Sequence, residues 1–327
     1  MKLTRTFALA LSSLALIGSV AAQTFPSKPV TLMVPYPPGG VSDVIARLVS
    51  QPLAANLKQT VLVDNLGGAS GSIAAQKVLD APADGHLVFQ GSPNELILAG
   101  LASKAVKFKS EDFRMVQFIA DAPLVIIARK GLEANSADEL VALARRAAAS
   151  GKSLSYASVG VGSFYHLLGD QMSKKINAPM LHVPYKGFGD IVKDLLGEQV
   201  DIMISPYAAP HIAMHNTGKI KFIGAVSAKR QPTIPNVPSV DEGTQLKGFH
   251  HSIWTGYFVK KDTPEPVVEM LHKALSETLG DVKLRTALES QSAIVPAPLS
   301  LADASKKYTA GIADFRAIAK SMNLEPQ

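Results

Sequence analysis

The chain has 327 residues, no cysteine and a formal net charge of +6. The lack of cysteine excludes disulfides, thiol catalysis and thiolate metal sites. The basic residues are scattered, with no long run and few aromatic residues between them, which argues against a nucleic-acid surface. A mildly basic protein suits an anionic small molecule.

The N-terminal segment has the three-part pattern of a secretory signal. Lys2 and Arg5 precede an apolar run at residues 7–20, which is short for a membrane span, and small residues follow it. We predict a signal peptide over residues 1–22, cleaved after Ala22. About 305 residues with a formal charge of +4 would then be released to the periplasm, since Lys2 and Arg5 leave with the signal. They would be soluble and carry no lipid anchor, because no cysteine is present to hold one.

Beyond this segment, short β-branched runs alternate with Ala/Leu-rich stretches at helical spacing. The alternation predicts an α/β fold with parallel sheets covered by helices on both faces. Pro52 is expected to kink or split the first helix, and the Pro-, Asn- and Ser-rich segment 231–243 is expected to be irregular. The predicted strands are residues 30–34, 61–63, 87–89, 124–128, 154–158 and 202–204, with a further strand-like segment at 252–259. The predicted helices are residues 43–57, 71–80, 136–149, 163–177 and 189–197.

Several strands run directly into a Gly/Ser-rich turn that opens a helix. These turns are residues 34–43, 63–72 and 157–163, with a less regular one at 183–190. Glycine lets the backbone approach a ligand closely, and a helix N-terminus has unpaired amides and a partial positive charge. Together they can form an anion site at the carboxyl ends of the strands. Taken singly, each turn also fits an ordinary capped connection.

The turns do not match the common catalytic patterns. Tyr165 stands where a dinucleotide fingerprint beginning at Gly160 requires glycine. No turn ends in Gly-Lys-Ser/Thr, and residues 68–72 lack the Gly-x-Ser-x-Gly spacing of a nucleophile elbow. The turns therefore favour binding over catalysis.

Two side-chain pairs leave other chemistry open. Ser163 and His166 lie three residues apart at a helix start and could serve a hydrolase, although a helix-capping serine is favoured because a triad also needs an orienting acid and a donor pocket. His211 and His215 could share a helix face as metal ligands do. Ile212 occupies the place of the glutamate of a zinc-protease helix, so that motif is excluded and a metal is not expected.

In combination, the motifs resemble the Bug/TctC family, the extracytoplasmic receptors of tripartite tricarboxylate transporters. The resemblance begins with Pro-Tyr-Pro-Pro-Gly-Gly-Val-Ser-Asp at residues 35–43 and continues through residues 156–163 and 182–187. It spans essentially the whole exported chain in the family's order. Leu66 and Ser70 depart from the family, which frequently has Arg and Gly there. Further matching segments are residues 63–65, 68–69, 84–85, 195–201, 227–230 and 235–240.

The resemblance implies a two-lobed periplasmic-binding-protein fold of the type II-like kind, each lobe a mostly parallel sheet flanked by helices. It implies that residues 23–125 and 253–327 form lobe 1 and residues 126–252 form lobe 2. The chain would cross between the lobes near residues 125–130 and 250–255. Such a protein closes its lobes around a ligand.

The resemblance also implies a ligand site between the lobes, in which backbone amides, hydroxyls and ordered water hold a carboxylate. Asp43 fits a helix-start role better than direct contact with an anion. On lobe 1 the implied ligand-binding residues are Tyr36, Gly39, Gly40, Ser42, Asp43, Gly68, Ala69 and Ser70, with Ser92 and Asn94 in a variable segment of the distal pocket. On lobe 2 they are Gly160, Gly162, Ser163, His166, Pro184 and Tyr185, with Tyr207 in a second variable segment.

We therefore expect a monomeric receptor, not an enzyme, that captures a small organic acid without a cofactor. Its partners would be the membrane components of a tripartite tricarboxylate transporter, with a sensor kinase as a further candidate. Two alternatives stay open: a periplasmic serine hydrolase using Ser163 and His166, and a binder of a phosphorylated or zwitterionic solute. Helix N-termini do not by themselves distinguish phosphate from carboxylate.

Overall fold

The computed structural model describes residues 25–322 and 324–326, so the predicted signal peptide lies outside the described residues. In this part of the chain, nine strands and ten α-helices alternate. The strands are β1 (Val30–Val34), β2 (Val61–Asn65), β3 (Leu87–Gly91), β4 (Phe113–Arg129), β5 (Ser155–Ser158), β6 (Leu181–Pro184), β7 (Ile202–Pro206), β8 (Ile220–Ala225) and β9 (Ser252–Lys260). The helices are α1 (Val41–Leu57), α2 (Ser72–Asp80), α3 (Ala99–Ala102), α4 (Ala137–Ala149), α5 (Phe164–Lys175), α6 (Phe188–Leu196), α7 (Ala209–Asn216), α8 (Glu265–Gly280), α9 (Val282–Glu289) and α10 (Leu301–Ser321).

The strands form two groups that share β4, and each group is the sheet of one lobe. In the first group β1 is parallel to β2 and β3, and β9 runs antiparallel between β3 and β4. In the second group β5 is parallel to β6 and β7, while β7 and β8 run antiparallel to β4. The predicted α/β fold with two lobes is confirmed, with antiparallel strands where the chain passes between them.

Strand β4 is much longer than the sequence pattern indicated. Residues 124–128 were predicted as a short strand, but they belong to a 17-residue strand. Its first part pairs with β9 up to Pro123, and its pairing with β7 and β8 begins at Leu124 and Val125. The exact division of the chain between the lobes stays a prediction.

The strands and helices that flank the first three Gly/Ser-rich turns were predicted well. The reason is that each of these turns begins at a clear change from β-branched residues to glycine and serine. Helix α1 runs unbroken through Pro52, so the proline does not split it. Pro52 is partly exposed, and on the solvent side of a helix the carbonyl that loses its partner can bond water. Strands β6 and β8 and helices α3 and α7 to α10 were not predicted.

The apolar core continues from one lobe into the other. One cluster of buried side chains includes Phe89 and Phe118 of the first sheet and Ile126 and Tyr156 of the second. Helix α10 belongs to this layer, because Phe315 packs edge-on against Phe164 at the start of α5, with ring centroids 5.0 Å apart. Among the described helices, none combines the length and apolar character that crossing a bilayer requires.

Candidate functional site

A small cavity lies where the two lobes meet. It encloses about 40 Å³, which is room for only a few water molecules. An organic acid can therefore occupy it only when the lobes separate or the lining side chains turn. Its lining residues are Tyr36, Val41, Ser42, Ile45, Ser92, Ala120, Ala122, Tyr165, Phe188, Pro206, Tyr207, Ile253, Thr255, Gln291 and Ala293.

Two helix N-termini, one from each lobe, reach this cavity. Helix α1 begins at Val41 and α6 begins at Phe188, and both residues line the cavity. The N-cap residues Gly40 and Gly187 provide no side-chain hydrogen bond to the helix they precede. The first amides of a helix have no partner within it, so these two ends offer donors and partial positive charge to an anion.

A second part of the lining is a wall formed by β4 and β9, the strands that pass between the lobes. Ala120 and Ala122 of β4 pair with Thr255 and Ile253 of β9, and all four side chains line the cavity. Small residues on β4 leave the space, since larger side chains there would fill it. Gln291 and the segment after α9 complete this wall.

The structure brings together four of the residues predicted from the sequence, because Tyr36, Ser42, Ser92 and Tyr207 all line the cavity. Ala69 and Ser70 line a separate cavity with Val161, and His166 lines another one beside Met322. The predicted residues that do not line the central cavity are Gly39, Gly40, Asp43, Gly68, Ala69, Ser70, Asn94, Gly160, Gly162, Ser163, His166, Pro184 and Tyr185. Most of them lie in the turns that hold the lining residues or in contacts between the lobes. Their part in ligand binding stays a prediction.

The sequence analysis did not predict several of the residues that line the cavity. Tyr165 comes two residues after the predicted turn 157–163, and Phe188 lies within the predicted turn 183–190, so their position near a helix start was an available signal. Thr255 and Gln291 are far from those turns along the chain, and no motif marks them. They reach the cavity only because β9 and the segment after α9 pack beside β4.

Asp43 supports the first turn from within lobe 1. Its Oδ2 accepts hydrogen bonds from the amide of Gly39 at 2.9 Å and from Nε of Arg47 at 3.0 Å. Burial acts to raise the pKa of Asp43, but the hydrogen bonds from Arg47 and Gly39 outweigh it, so the pKa is lowered. The carboxylate is thus charged and already paired, which agrees with a helix-start role.

A buried acid, Glu95, lies behind Tyr36 and Ser92, which line the cavity. Its Oε1 accepts from the Tyr36 hydroxyl at 2.5 Å, and its Oε2 accepts from the amide and hydroxyl of Ser92, each at 2.7 Å. Asn94 donates to the Tyr36 hydroxyl at 3.3 Å. Burial raises the pKa of Glu95 to about 7, against the opposing effect of these hydrogen bonds. We call Tyr36, Ser92, Asn94 and Glu95 the Glu95 cluster. The sequence analysis missed Glu95, although its place beside the apolar run 96–98 was a signal of burial.

Polar contacts join the two lobes beside the cavity. The Asn94 side-chain oxygen accepts from the amide of Phe164, the first residue of α5, at 2.7 Å. The Ser70 hydroxyl donates to the carbonyl of Val161 at 3.0 Å. Ser70 has φ of 53°, a left-handed conformation that glycine adopts more easily. The serine that replaces the family's frequent glycine therefore makes a contact between the lobes that glycine could not make.

Three glycines of lobe 2 allow the lobes to approach this closely. A Cβ at Gly160 would lie 2.7 Å from the Ser70 hydroxyl oxygen, and one at Gly187 would lie 2.8 Å from Cδ of Pro37. At Gly162 an added Cβ would overlap the Cβ of Ala102. These turns thus leave no space for side chains when the lobes are in contact.

Lobe 2 contains another polar group, which we call the His182 cluster: Tyr156, Ser158, His166, Asp170 and His182. The imidazoles of His166 and His182 are stacked with centroids 4.0 Å apart, and Nε2 of His182 lies 2.7 Å from the Ser158 hydroxyl. The Tyr156 hydroxyl donates to Asp170 at 2.5 Å. Burial, then repulsion from His166, lowers the pKa of His182 to about 4.

The predicted hydrolase pair does not have a catalytic arrangement in this structure. The Ser163 hydroxyl accepts from the amide of His166, so the serine caps α5. Nδ1 of His166 accepts from the amide of Gly162 at 3.0 Å. Ser163 is fully buried, and neither side chain lines the cavity. The geometry favours the capping interpretation.

His211 and His215 also hold backbone groups. Nδ1 of His211 accepts from the amide of Ala208, and Nδ1 of His215 accepts from the amide of Phe222. Within the described residues, no group of three or more His, Cys, Asp or Glu side chains is placed to hold a metal ion.

The two lobes and the cavity between them define a periplasmic binding protein fold. Residues 45–305 match the model of the tripartite tricarboxylate transporter family receptor, TctC. The chain belongs to this family, whose members are solute-binding receptors. The resemblance found in the sequence is confirmed.

Solved structures of similar proteins agree with this assignment. The periplasmic binding protein BugD is 30% identical, with a TM-score of 0.85 over 93% of this chain and 100% of that chain. MatC from Rhodopseudomonas palustris, solved with bound malate, is 27% identical, with a TM-score of 0.81 over 90% of this chain and 99% of that chain. Rpa4515 from the same organism, solved with adipate, is 27% identical, with a TM-score of 0.85 over 93% of this chain and 100% of that chain.

Proposed function

We propose that this protein captures a small organic acid in the cavity between its lobes and delivers it to a tripartite tricarboxylate transporter. The observation that carries the proposal is the pair of helix N-termini, α1 and α6, that reach the cavity without side-chain caps. Such ends stabilise a carboxylate without any basic side chain. The similar proteins MatC and Rpa4515 were solved with malate and adipate, which are both carboxylates.

The acid would be held by groups from both lobes. We assign direct contacts to the amides at the starts of α1 and α6 and to Tyr36, Ser42, Ser92 and Tyr207, which line the cavity. The other predicted residues of the turns would shape these contacts or join the lobes. Asp43 would act by holding the first turn, since a charged carboxylate repels an anion.

Binding would require the lobes to open and close. We propose lobe 1 as residues 23–125 and 253–327 and lobe 2 as residues 126–252, with hinges near 125–130 and 250–255. The change of pairing partner along β4 near Pro123 and Leu124 supports this division. The ligand favours the closed state because only that state offers it both helix ends, and the membrane components of the transporter would recognise that state.

The rest of the assignment follows from the sequence. The segment 1–22 would direct export to the periplasm as a cleaved signal peptide, and the released protein would act as a soluble monomer, without a cofactor. We propose that it is not an enzyme, because Ser163 caps a helix and His166 holds a backbone amide. A sensor kinase as an additional partner has no support from the geometry.

A thermal-shift screen of the purified protein against organic acids tests the proposal. A ligand at 100 times its Kd stabilises the folded state by about 2.7 kcal/mol, which raises Tm visibly. We expect carboxylates to raise Tm and to be recovered unchanged. A response only to phosphorylated or cationic solutes, or conversion of the compound, would contradict it.

Gly162→Ala tests whether closure of the lobes is needed. The new Cβ would overlap Ala102 only when the lobes are in contact, so affinity should fall by about tenfold or more. Gly151→Ala is the matched control, because Gly151 has φ of +73° and Gly162 has +77°, but Gly151 faces open space. Equal affinities in the two variants would show that this contact does not form in the bound state.

A further inference from the structure

We infer that the acid is a monocarboxylate with an apolar body, and that dicarboxylates and tricarboxylates bind more weakly. This inference rests on the proposed function, because it concerns the far end of the same cavity. The single carboxylate would lie at the helix ends of α1 and α6, which both reach the cavity. The rest of the acid would contact the wall formed by β4 and β9.

That wall presents apolar side chains. Ala120, Ala122, Ile253 and Ala293 line it, and Ile253 and Ala120 are each only 2% exposed. A hydrocarbon body gains from contact with such a surface, whereas a carboxylate there loses its hydration without compensation.

The backbone of this wall has few donors left for a second anion. Ala120 and Ala122 lie in the paired stretch of β4 and β9, and Asp121 exchanges two hydrogen bonds with Ile294, at 3.0 and 2.8 Å. The situation is opposite to that at the helix ends, where the first amides have no partner within the helix. The two ends of the cavity therefore differ in their capacity for charge.

No cation is placed to neutralise a second carboxylate. The described residues that line the cavity include no Lys, Arg or His. Lys307 of α10 contacts the other face of β4, where its Nζ is 3.5 Å from Asp121 and 4.1 Å from the centroid of Phe118. Asp121 and its neighbours Ala120 and Ala122 point to opposite faces, as successive strand residues do.

The polar side chains at this wall are neutral. Thr255 and Gln291 line it, and they can hydrogen-bond to a hydroxyl or carbonyl on the body of the acid. Neither can supply the charge that a second carboxylate needs in a buried site. The cavity thus admits a neutral polar substituent and discriminates against a second negative charge.

Titration calorimetry with matched acids tests the inference. The pairs are pentanoate with glutarate and 4-methylbenzoate with terephthalate, whose members differ at the end remote from the shared carboxylate, and pentanamide serves as the uncharged control. We expect the monoacid of at least one pair to bind at least about tenfold more tightly than its diacid, with no binding of pentanamide.

The outcomes separate the two proposals. Equal or tighter binding of the diacids would overturn the inference and leave the proposed function intact. Binding of none of the acids by a protein that does bind a phosphorylated or cationic solute would overturn both.

A pair of variants locates the effect. Ile253→Thr places a hydroxyl at the apolar wall, so it should lower affinity for the monoacid and reduce its advantage over the diacid by about threefold or more. Val259→Thr makes a comparable change at another buried position of β9, outside the cavity, and should leave that ratio unchanged. If the ratio is the same in both variants, the apolar wall does not set the preference.

Discussion

The Glu95 cluster and the His182 cluster are both polar groups that include buried side chains, but they make different connections. The Glu95 cluster touches the opposite lobe, because Asn94 accepts from the Phe164 amide. The hydrogen bonds described for the His182 cluster remain within lobe 2, where Ser158 and His166 hold the backbone of Gly160 and Gly162. One cluster is therefore coupled to closure of the lobes, and the other maintains the shape of a turn.

Burial shifts the pKa values of the two clusters in opposite directions. It raises the pKa of Glu95 to about 7 and lowers that of His182 to about 4, since in each case a buried site favours the neutral form. Near neutral pH, the His182 cluster has an uncharged imidazole, while Glu95 is close to its titration midpoint. These differences between the two clusters predict that substitutions in them will change the stability, the ligand affinity and the pH dependence of the protein in distinct ways.

The largest effect is expected for Glu95→Ala. The change leaves the Tyr36 hydroxyl and both donors of Ser92 buried without their acceptor, which should lower the free energy of unfolding by about 2–4 kcal/mol. Urea unfolding measures this change. Glu111→Ala is the control, because Glu111 is half exposed and pairs with Arg316 at the surface, so it should cost at most about 1 kcal/mol. Similar losses in the two variants would mean that Glu95 does not organise its cluster.

A smaller effect, on affinity, is expected for Asn94→Ala. The variant loses the hydrogen bond to the Phe164 amide, which can form only while the lobes are in contact, so affinity for the acid should fall by about fivefold to tenfold. Tyr156→Phe removes the hydroxyl that donates to Asp170 within lobe 2. It should lower stability by about 1 kcal/mol and leave affinity unchanged. Calorimetric titration would contradict the distinction if Tyr156→Phe weakened binding as much as Asn94→Ala.

The sequence predicted the parts of this molecule that depend on local pattern. The β-branched run of β1 followed by Pro-Tyr-Pro-Pro-Gly-Gly predicted a strand, a turn and a helix start, which the structure has at β1 and α1. The resemblance to a family then supplied the two-lobed fold, which no periodicity in the chain could show.

The remaining features depend on packing between distant segments. Ala120 and Thr255 meet only through the register of β4 with β9, and an alanine in a strand has no sequence signal for a cavity. The close approach of Gly162 to Ala102 depends on the lobes being in contact. Glu95 is buried by a π-helical turn, Asn94–Leu98, whereas an isolated glutamate is normally expected at the surface.

The smallest effect concerns pH. The pKa of His182 is lower in the folded protein, about 4, than its ordinary value of 6.5. The neutral imidazole therefore contributes stability above pH 6.5, and this contribution is lost as the pH falls towards 4. Because the side chain is only half-buried, solvent screening should limit the loss to about 1 kcal/mol or less.

His182→Gln should remove this part of the pH dependence, which urea unfolding between pH 7 and pH 4 would measure. Glu95→Gln should act with the opposite sign, because the raised pKa of Glu95 gives a contribution that is present below pH 4.5 and is lost as the pH rises towards 7. The wild-type protein should thus gain stability relative to Glu95→Gln as the pH falls, and lose it relative to His182→Gln. If both differences changed in the same direction, burial would not be shifting the pKa values of Glu95 and His182 in opposite directions.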